Sequence, residues 1–309
     1  MTLRWRKYLV VAKIILTFLI LGIVLLQVDI HRIGSAFQSL RVSFFILALL
    51  FVPVNLIFQL IRWHYILKTV AIAVTPRHAF KSILAGLAFS LVTPGRVGEV
   101  GRSLYFQSST TIKTAGLVIL EKAYAFIVIL IVSGISIMLW QRTLIGALII
   151  VSALFIGFQL KLIRSLLSRL SFLFPYGEKI AELWSSWDSF ERKHIALLLA
   201  ISMGFFVIVF LQFFILVSSF QTVSPASALI AIPLTMAINS FPITIAGLGL
   251  REGAAVFFFS KFGVAEAAAL NGAFLLFVID ILIPGLVGLP LISKMRLHFE
   301  HAAEEKPFP

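Results

Sequence analysis

Ser90-Leu-Val-Thr-Pro-Gly-Arg-Val-Gly-Glu-Val-Gly-Arg-Ser-Leu-Tyr105 interrupts a chain that is otherwise almost wholly apolar, and its reading decides the fold. Arg96, Glu99 and Arg102 recur at helical spacing, so a helix over this stretch lines them on one face. Thr93, Pro94 and Gly95 come just before, with Gly98 inside; proline presets a first helical turn and threonine caps one. The pattern predicts a broken helix that restarts here. In a bilayer, an interrupted backbone carrying three charges is tolerated only where it is buried in protein or lines a watery cavity. The alternative is a cytoplasmic turn whose charges are solvated.

A second stretch, Asn239-Ser-Phe-Pro-Ile-Thr-Ile-Ala-Gly-Leu-Gly-Leu-Arg-Glu-Gly253, follows the same plan: Asn239, Pro242, then Gly247 and Gly249, then Arg251 and Glu252. Glycine- and proline-interrupted apolar segments at corresponding positions of two halves point to a membrane transport site.

Composition supports that setting. Hydrophobic residues make up 60% of the chain and charged residues 13%, and the mean hydropathy is +1.06. These values lie far from those of a soluble domain. The 26 Lys and Arg against 13 Asp and Glu leave +13, but the basic residues gather at the ends of apolar runs. That is the mark of membrane topology and anionic headgroups rather than of nucleic acid. With no cysteine, disulfides, thiolate nucleophiles and Cys-ligated metals are excluded.

Along the chain, Arg4, Arg6 and Lys7 precede an apolar run from Tyr8 to Val28, which reads as an uncleaved first span with its N-terminus in the cytoplasm. Val42 to Ile61 spans back to Arg62-Trp63, which reads as an interfacial anchor or, alternatively, as part of a headgroup site. Ala79 to Val92 enters again, is too short to cross, and meets the first broken stretch. Thr114 to Leu139 is a full span carrying Glu121 and Lys122, of which Glu121 is expected to face inward. Thr143 to Leu160 returns, and Lys161 to Lys193 forms basic amphipathic pieces on the membrane surface. Ile195 to Val217 spans outward, Ala226 to Phe241 enters and breaks, and Ala254 to Phe262 leaves. The last span, Ala267 to Ile292, carries Asp280 near its middle. Pro284, one turn on, cannot donate to the Asp280 carbonyl, which makes Asp280 either a proton or cation site or an aspartate bound to a neighbouring helix.

The expected fold is therefore an all-α integral membrane protein with about six full transmembrane helices and two re-entrant or broken helices in an inverted pseudo-repeat. It forms a single polytopic domain over 1–309: a first half of about 1–160, an interfacial linker of about 161–193, a second half of about 194–296 and a cytoplasmic tail, 297–309. Both termini are expected in the cytoplasm.

Arg62-Trp63, Thr93-Pro-Gly-Arg-Val-Gly-Glu99 followed by Arg102, and Phe241-Pro-Ile-Thr-Ile-Ala-Gly-Leu-Gly-Leu-Arg-Glu252 together resemble the flippase-like family typified by the transmembrane region of lysylphosphatidylglycerol synthases. The resemblance covers nearly the whole chain. It implies a multi-pass inner-membrane protein that moves modified or glycosylated lipids between leaflets. Family members often carry an acidic-basic pair followed by an acid in the helix after the first motif; Glu121 and Lys122 match, whereas Tyr124 stands where the acid is expected. Nothing corresponds to the synthases' soluble aminoacyl-transfer domain, so synthesis of lysyl lipids is not implied. Some relatives accompany hopanoid or lipid-linked sugar pathways, which makes a lipid-modifying enzyme a candidate partner.

No GxxxxGK phosphate loop is present, and the six histidines show no metal-ligand spacing, so neither cofactor nor metal is expected. Two functions remain open. In a lipid flippase, Arg96, Arg102 and Arg251 hold an anionic headgroup while Glu99, Glu252 and Asp280 pair with them, with a cationic moiety or with a proton. In a membrane-embedded lipid-linked glycosyltransferase, or an accessory subunit of a lipid-modifying pathway, the carboxylates act as bases or metal ligands. A transferase usually needs an aqueous donor-binding loop, and the longest loop here is amphipathic, which favours transport.

Overall fold

The computed structural model describes residues 40–91, 93, 97–106, 108–141, 143–170, 177–244 and 246–291. The expected first span Tyr8–Val28, the residues Pro94, Gly95 and Arg96, and the basic segment with Lys294 and Arg296 lie outside them. Among the described residues the chain is helical throughout, with no strand. It is a multi-pass membrane protein. Four helices are long and apolar enough to cross a membrane, Val42–Thr69, Thr110–Gln141, Arg192–Ser218 and Glu266–Leu291, and two shorter apolar helices, Leu144–Phe158 and Pro225–Asn239, accompany them.

Helix α1 (Val42–Thr69) runs two turns beyond the expected end at Ile61, so Arg62 and Trp63 lie within it and are buried. They are core residues rather than an interfacial anchor, because partners on other elements take up their polar atoms. Helix α2 (Pro76–Ser90) starts where Pro76 presets the backbone and the Thr75 hydroxyl accepts the His78 N–H at 3.3 Å. Its 15 residues rise about 22 Å, short of a bilayer core. Every residue from Ser82 to Ala88 is buried, so this helix sits inside the protein. A 3₁₀ helix, Val97–Tyr105, follows it.

Helix α3 (Ser108–Gln141) and α4 (Leu144–Phe158) form a hairpin in which Gly134 and Gly146 let the backbones touch; a Cβ at Gly134 would meet the Gly146 carbonyl at 2.7 Å. Lipid is as apolar as leucine, so helices in it pair through close packing of small residues. The outer face of α4, with Leu144, Leu148, Val151 and Phe155, is exposed and suited to acyl chains. The linker supplies α5 (Leu160–Leu170) and α6 (Gly177–Ser185). Trp187, just after α6, donates its Nε1–H to the Gly116 carbonyl at 3.0 Å, tying the linker to α3.

The second half holds α7 (Arg192–Ser218), α8 (Pro225–Asn239), α9 (Leu250–Ser260) and α10 (Glu266–Phe277). Pro233 inside α8 leaves the Leu229 carbonyl without its helical donor. Ser136 of α3 donates to that carbonyl at 2.9 Å, and Ser133 donates to the Pro233 carbonyl at 3.0 Å. A freed backbone group in a membrane helix is thus satisfied by a neighbour's hydroxyl. α10 passes into a π turn, Val278–Leu282, where the Ile283 N–H reaches back to the Val278 carbonyl. The wider turn accommodates the donor missing at Pro284 and shifts the hydrogen-bond register around Asp280.

Two main cores form among the described residues, and neither keeps to one half of the chain: Trp63, Leu67, Leu117 and Leu120 pack with Ile195 and Leu198 in one, and Phe213, Leu216, Phe259 and Ala269 with Ala48 and Val128 in the other. Helices α1 and α7 lie against each other and join them. A small third cluster of Ala246, Phe277 and Ile281, with Leu91 and Leu248 against it, closes the seam between the end of α2 and the start of α9.

Candidate functional site

The first broken stretch assembles a buried ion-pair network. Arg62 of α1 donates from Nε to Glu121 Oε1 at 2.8 Å, and its Nη2 lies 2.6 Å from the same oxygen. Arg102 of the 3₁₀ helix binds the other carboxylate oxygen, Oε2. One carboxylate therefore holds two guanidinium groups, and all three side chains are at most 3% exposed. Aromatic faces complete the lining: Arg102 Cζ lies 3.9 Å from the Trp63 ring centre and Arg62 Cζ 4.8 Å from that of Phe205. Trp63 is itself oriented by its Nε1–H to the Ser82 hydroxyl at 3.0 Å. Lys122 pairs with Glu99, its side chain 38% exposed where that of Glu99 is buried.

The sequence predicts one helical face for Glu99 and Arg102, and the 3₁₀ helix provides it with residues i and i+3 eclipsed. Gly86 allows the approach: a Cβ there would meet Arg102 Cβ at 3.1 Å and the Glu99 carbonyl at 3.2 Å. Among the described residues, Arg62, Arg102 and Lys122 gather around the carboxylates of Glu99 and Glu121. Arg102 Nε is buried and has no hydrogen-bond partner among the described residues. A buried guanidinium with a donor to spare suits an anion such as phosphate.

The second stretch is built around backbone turns that favour glycine. Ala246, Gly247 and Gly249 have φ of 52°, 77° and 78°. Gly247 also lies against Asn239 Oδ1, where a side chain could not fit. Pro242 is exposed in the turn that leads out of α8. α9 then begins, with Glu252 Oε2 accepting the Gly249 N–H at 2.7 Å. Arg251 donates to Glu252 Oε1 from Nη2 at 2.8 Å and from Nε at 3.2 Å. Both side chains are nearly fully buried, and Arg251 Cζ lies 5.5 Å from the Phe277 ring centre.

The two stretches meet. Thr93 donates its hydroxyl to the Phe89 carbonyl at 3.0 Å and accepts the Gly98 N–H at 2.8 Å, which fixes the turn into the 3₁₀ helix. Its own carbonyl accepts the Ala246 N–H at 3.4 Å. Asp280 lies on the π turn close by, where Asn55 Nδ2 donates to Oδ2 at 3.0 Å and Gln212 Nε2 to Oδ1 at 2.9 Å. Of the sequence-derived residues, Arg62, Glu99, Arg102, Glu121 and Lys122 join one network, Arg251 and Glu252 a second, and Asp280 a third. Pro94, Gly95 and Arg96 lie outside the described residues. Among the described residues, no cluster of His, Asp and Glu could hold a metal ion.

Sequence reasoning passed over Asn55, Gln59 and Gln212. Each is an amide inside an apolar run, and that was the available signal. Trp63 was noted for its interfacial preference and not for its face, which only the position of Arg102 reveals.

Comparison with curated proteins and with solved structures finds no match. Two broken stretches in contact, each with a buried arginine–carboxylate network, on a frame of apolar helices, agree with the one comparison that does match: the chain belongs to the family of the lysylphosphatidylglycerol synthase transmembrane region, whose family model matches residues 10–288.

Proposed function

We propose that the protein is a lipid flippase or transporter that moves a membrane lipid with an anionic or glycosylated headgroup between leaflets. Membership of this family supports a lipid-related function in the membrane. The single observation that carries the finer reading is the contact of the two broken stretches, Ala246 N–H to the Thr93 carbonyl at 3.4 Å, beside the buried Arg62–Glu121–Arg102 network.

A lipid crosses slowly unaided because its headgroup must shed water. Arg62 and Arg102, held by Glu121 and by aromatic faces, would replace that hydration with fixed donors that cost little to organise. Acyl chains would remain in the bilayer along exposed apolar faces. In this reading the halves about 1–160 and 194–296 are inverted copies, the first stretch opens from the cytoplasm and the second from outside, and both termini are cytoplasmic in an inner membrane. Rocking of one half on the other would then alternate access.

The test is a leaflet-transfer assay with the purified chain in liposomes, supplied with labelled phospholipids and lipid-linked sugars native to its source. Transfer should exceed that of empty liposomes, and Arg102→Ala should remove the excess. No acceleration with any of these lipids, together with turnover of a lipid-linked sugar by the same preparation, would move the assignment to a membrane glycosyltransferase.

A further inference from the structure

In the second broken stretch, the turn after α8 reverses the usual order of a turn. Phe241, Pro242 and Ile243 are exposed, whereas the next residue, Thr244, is fully buried. A turn in water shows its hydroxyl and hides its apolar groups; here the apolar groups face outward and suit acyl chains. The Thr244 Oγ1 has no hydrogen-bond partner among the described residues, and neither has the buried Oδ1 of Asn239, the last residue of α8. Buried polar atoms are nearly always paired, so two orphans at one turn need a cause.

Other hydroxyls of the chain find a carbonyl within reach. Thr235 donates to the Ala231 carbonyl and Ser240 to that of Met236, both at 2.8 Å. Ser202 and Ser218 are unpaired too, but each stands in α7, where rotation of the hydroxyl brings it to a carbonyl of the preceding turn. Thr244 lies outside any helix and has no such carbonyl. Asn239 Oδ1 needs a donor, and the N–H groups of Ser240, Phe241 and Ile243, which follow it, already donate to backbone carbonyls. The amide lies across Gly247, whose φ of 77° favours glycine and where a side chain would displace it.

The chemistry of the turn suits a neutral partner. The stretch holds one cation and one anion, Arg251 and Glu252, and these take each other: Arg251 Nη2 donates to Oε1 at 2.8 Å, while the Gly249 N–H donates to Oε2 at 2.7 Å. A hydroxyl satisfies both orphans, since it can donate to the amide oxygen and either donate to or accept from the threonine. An ammonium group could also donate to both, but it would bring an unbalanced charge into a buried place. The turn is joined to the first stretch by the Ala246 N–H at the Thr93 carbonyl, a long bond at 3.4 Å. Parting of the two stretches would uncover Thr244 and Asn239.

We propose that Thr244 and Asn239 form a subsite for the neutral hydroxyl groups of a lipid headgroup, those of a glycerol or a sugar, uncovered when the two stretches part. The subsite rests on the reading of this seam as the path of a lipid. It adds a preference to that of the arginines: a guanidinium recognises phosphate, which many headgroups share, and the turn recognises what the phosphate carries.

Binding of single lipids to the purified full chain in detergent, read by native mass spectrometry, tests this with matched pairs: phosphatidylglycerol against phosphatidic acid, and glucosyl diacylglycerol against diacylglycerol. The two pairs tell a glycerol from a sugar. The hydroxyl-bearing member of at least one pair should bind more tightly, and Thr244→Val or Asn239→Ala should cut that advantage by about two- to tenfold, the worth of one neutral hydrogen bond, with little change for the other member. Without lipid, Thr244→Val should melt no lower than the wild type, since the hydroxyl it removes has no partner there. Equal loss for both members of a pair, or variants that bind like the wild type, would overturn the proposal; so would a lower melting temperature of Thr244→Val, which would show a hydrogen bond in the unliganded protein. Tighter binding of phosphatidylethanolamine than of either hydroxyl-bearing lipid would overturn it in favour of an amine. No binding of any of these lipids would overturn it together with the lipid path, whereas leaflet transfer with no preference for hydroxyls would overturn it alone.

Discussion

The charges of this chain are legible one by one in its sequence, but their pairing is not. Arg62 and Arg102 reach Glu121 across 59 and 19 residues, and no local spacing announces a carboxylate shared between two elements. Glu121 was expected to face inward and does; its adjacent residue, Lys122, reaches Glu99 on the network's outer side. Depth decides what each pair contributes. Removing one partner of a buried ion pair costs about 3–5 kcal/mol, because the other charge stays uncompensated out of water. Glu121→Gln should therefore lower the unfolding free energy of the purified protein by about that amount. Glu99→Gln breaks a pair whose lysine is 38% exposed and should cost about 1 kcal/mol or less. Thermal unfolding of both variants in one detergent checks the ranking, and equal losses would contradict the depth assigned to Glu121.

At the scale of elements, the second break was readable because proline and glycine announce it, at Pro242 and the glycines at 247 and 249. The type of helix was less so: a spacing of three fits an α-helix and a 3₁₀ helix equally, and the tight approach of Gly86 to Arg102 makes the difference. The two serines of α3 show why proline inside a short apolar helix is tolerated. Ser136→Ala leaves the Leu229 carbonyl with neither a helical donor nor a hydroxyl, at a cost of about 1–3 kcal/mol. Pro233→Ala restores an N–H for that carbonyl, so the double variant should be less destabilised than Ser136→Ala alone. A double-mutant cycle in thermal stability measures this coupling, and strict additivity would mean that the serine does not act through the carbonyl freed by Pro233.

For the whole molecule, the pairing of two similar stretches was legible, whereas their contact was not, since Thr93 and Ala246 belong to opposite halves of the chain. Their backbone hydrogen bond at 3.4 Å is long, and the cluster of Ala246, Phe277 and Ile281 beside it is small next to the two main cores. Among the described residues this seam has little buried apolar area and a stretched hydrogen bond, features of a place where a structure opens easily. The chain has no cysteine, so Thr93→Cys with Ala246→Cys introduces a single possible disulfide. Backbones joined by a hydrogen bond lie near the Cα separation of about 4.4–6.8 Å that a disulfide spans. Oxidation should cross-link the pair, stop leaflet transfer in liposomes, and be reversed by a reductant, while each single cysteine stays active in both conditions. If the cross-linked protein transferred lipid as fast as the reduced one, the two stretches would be a fixed floor of the site, and access would have to alternate elsewhere.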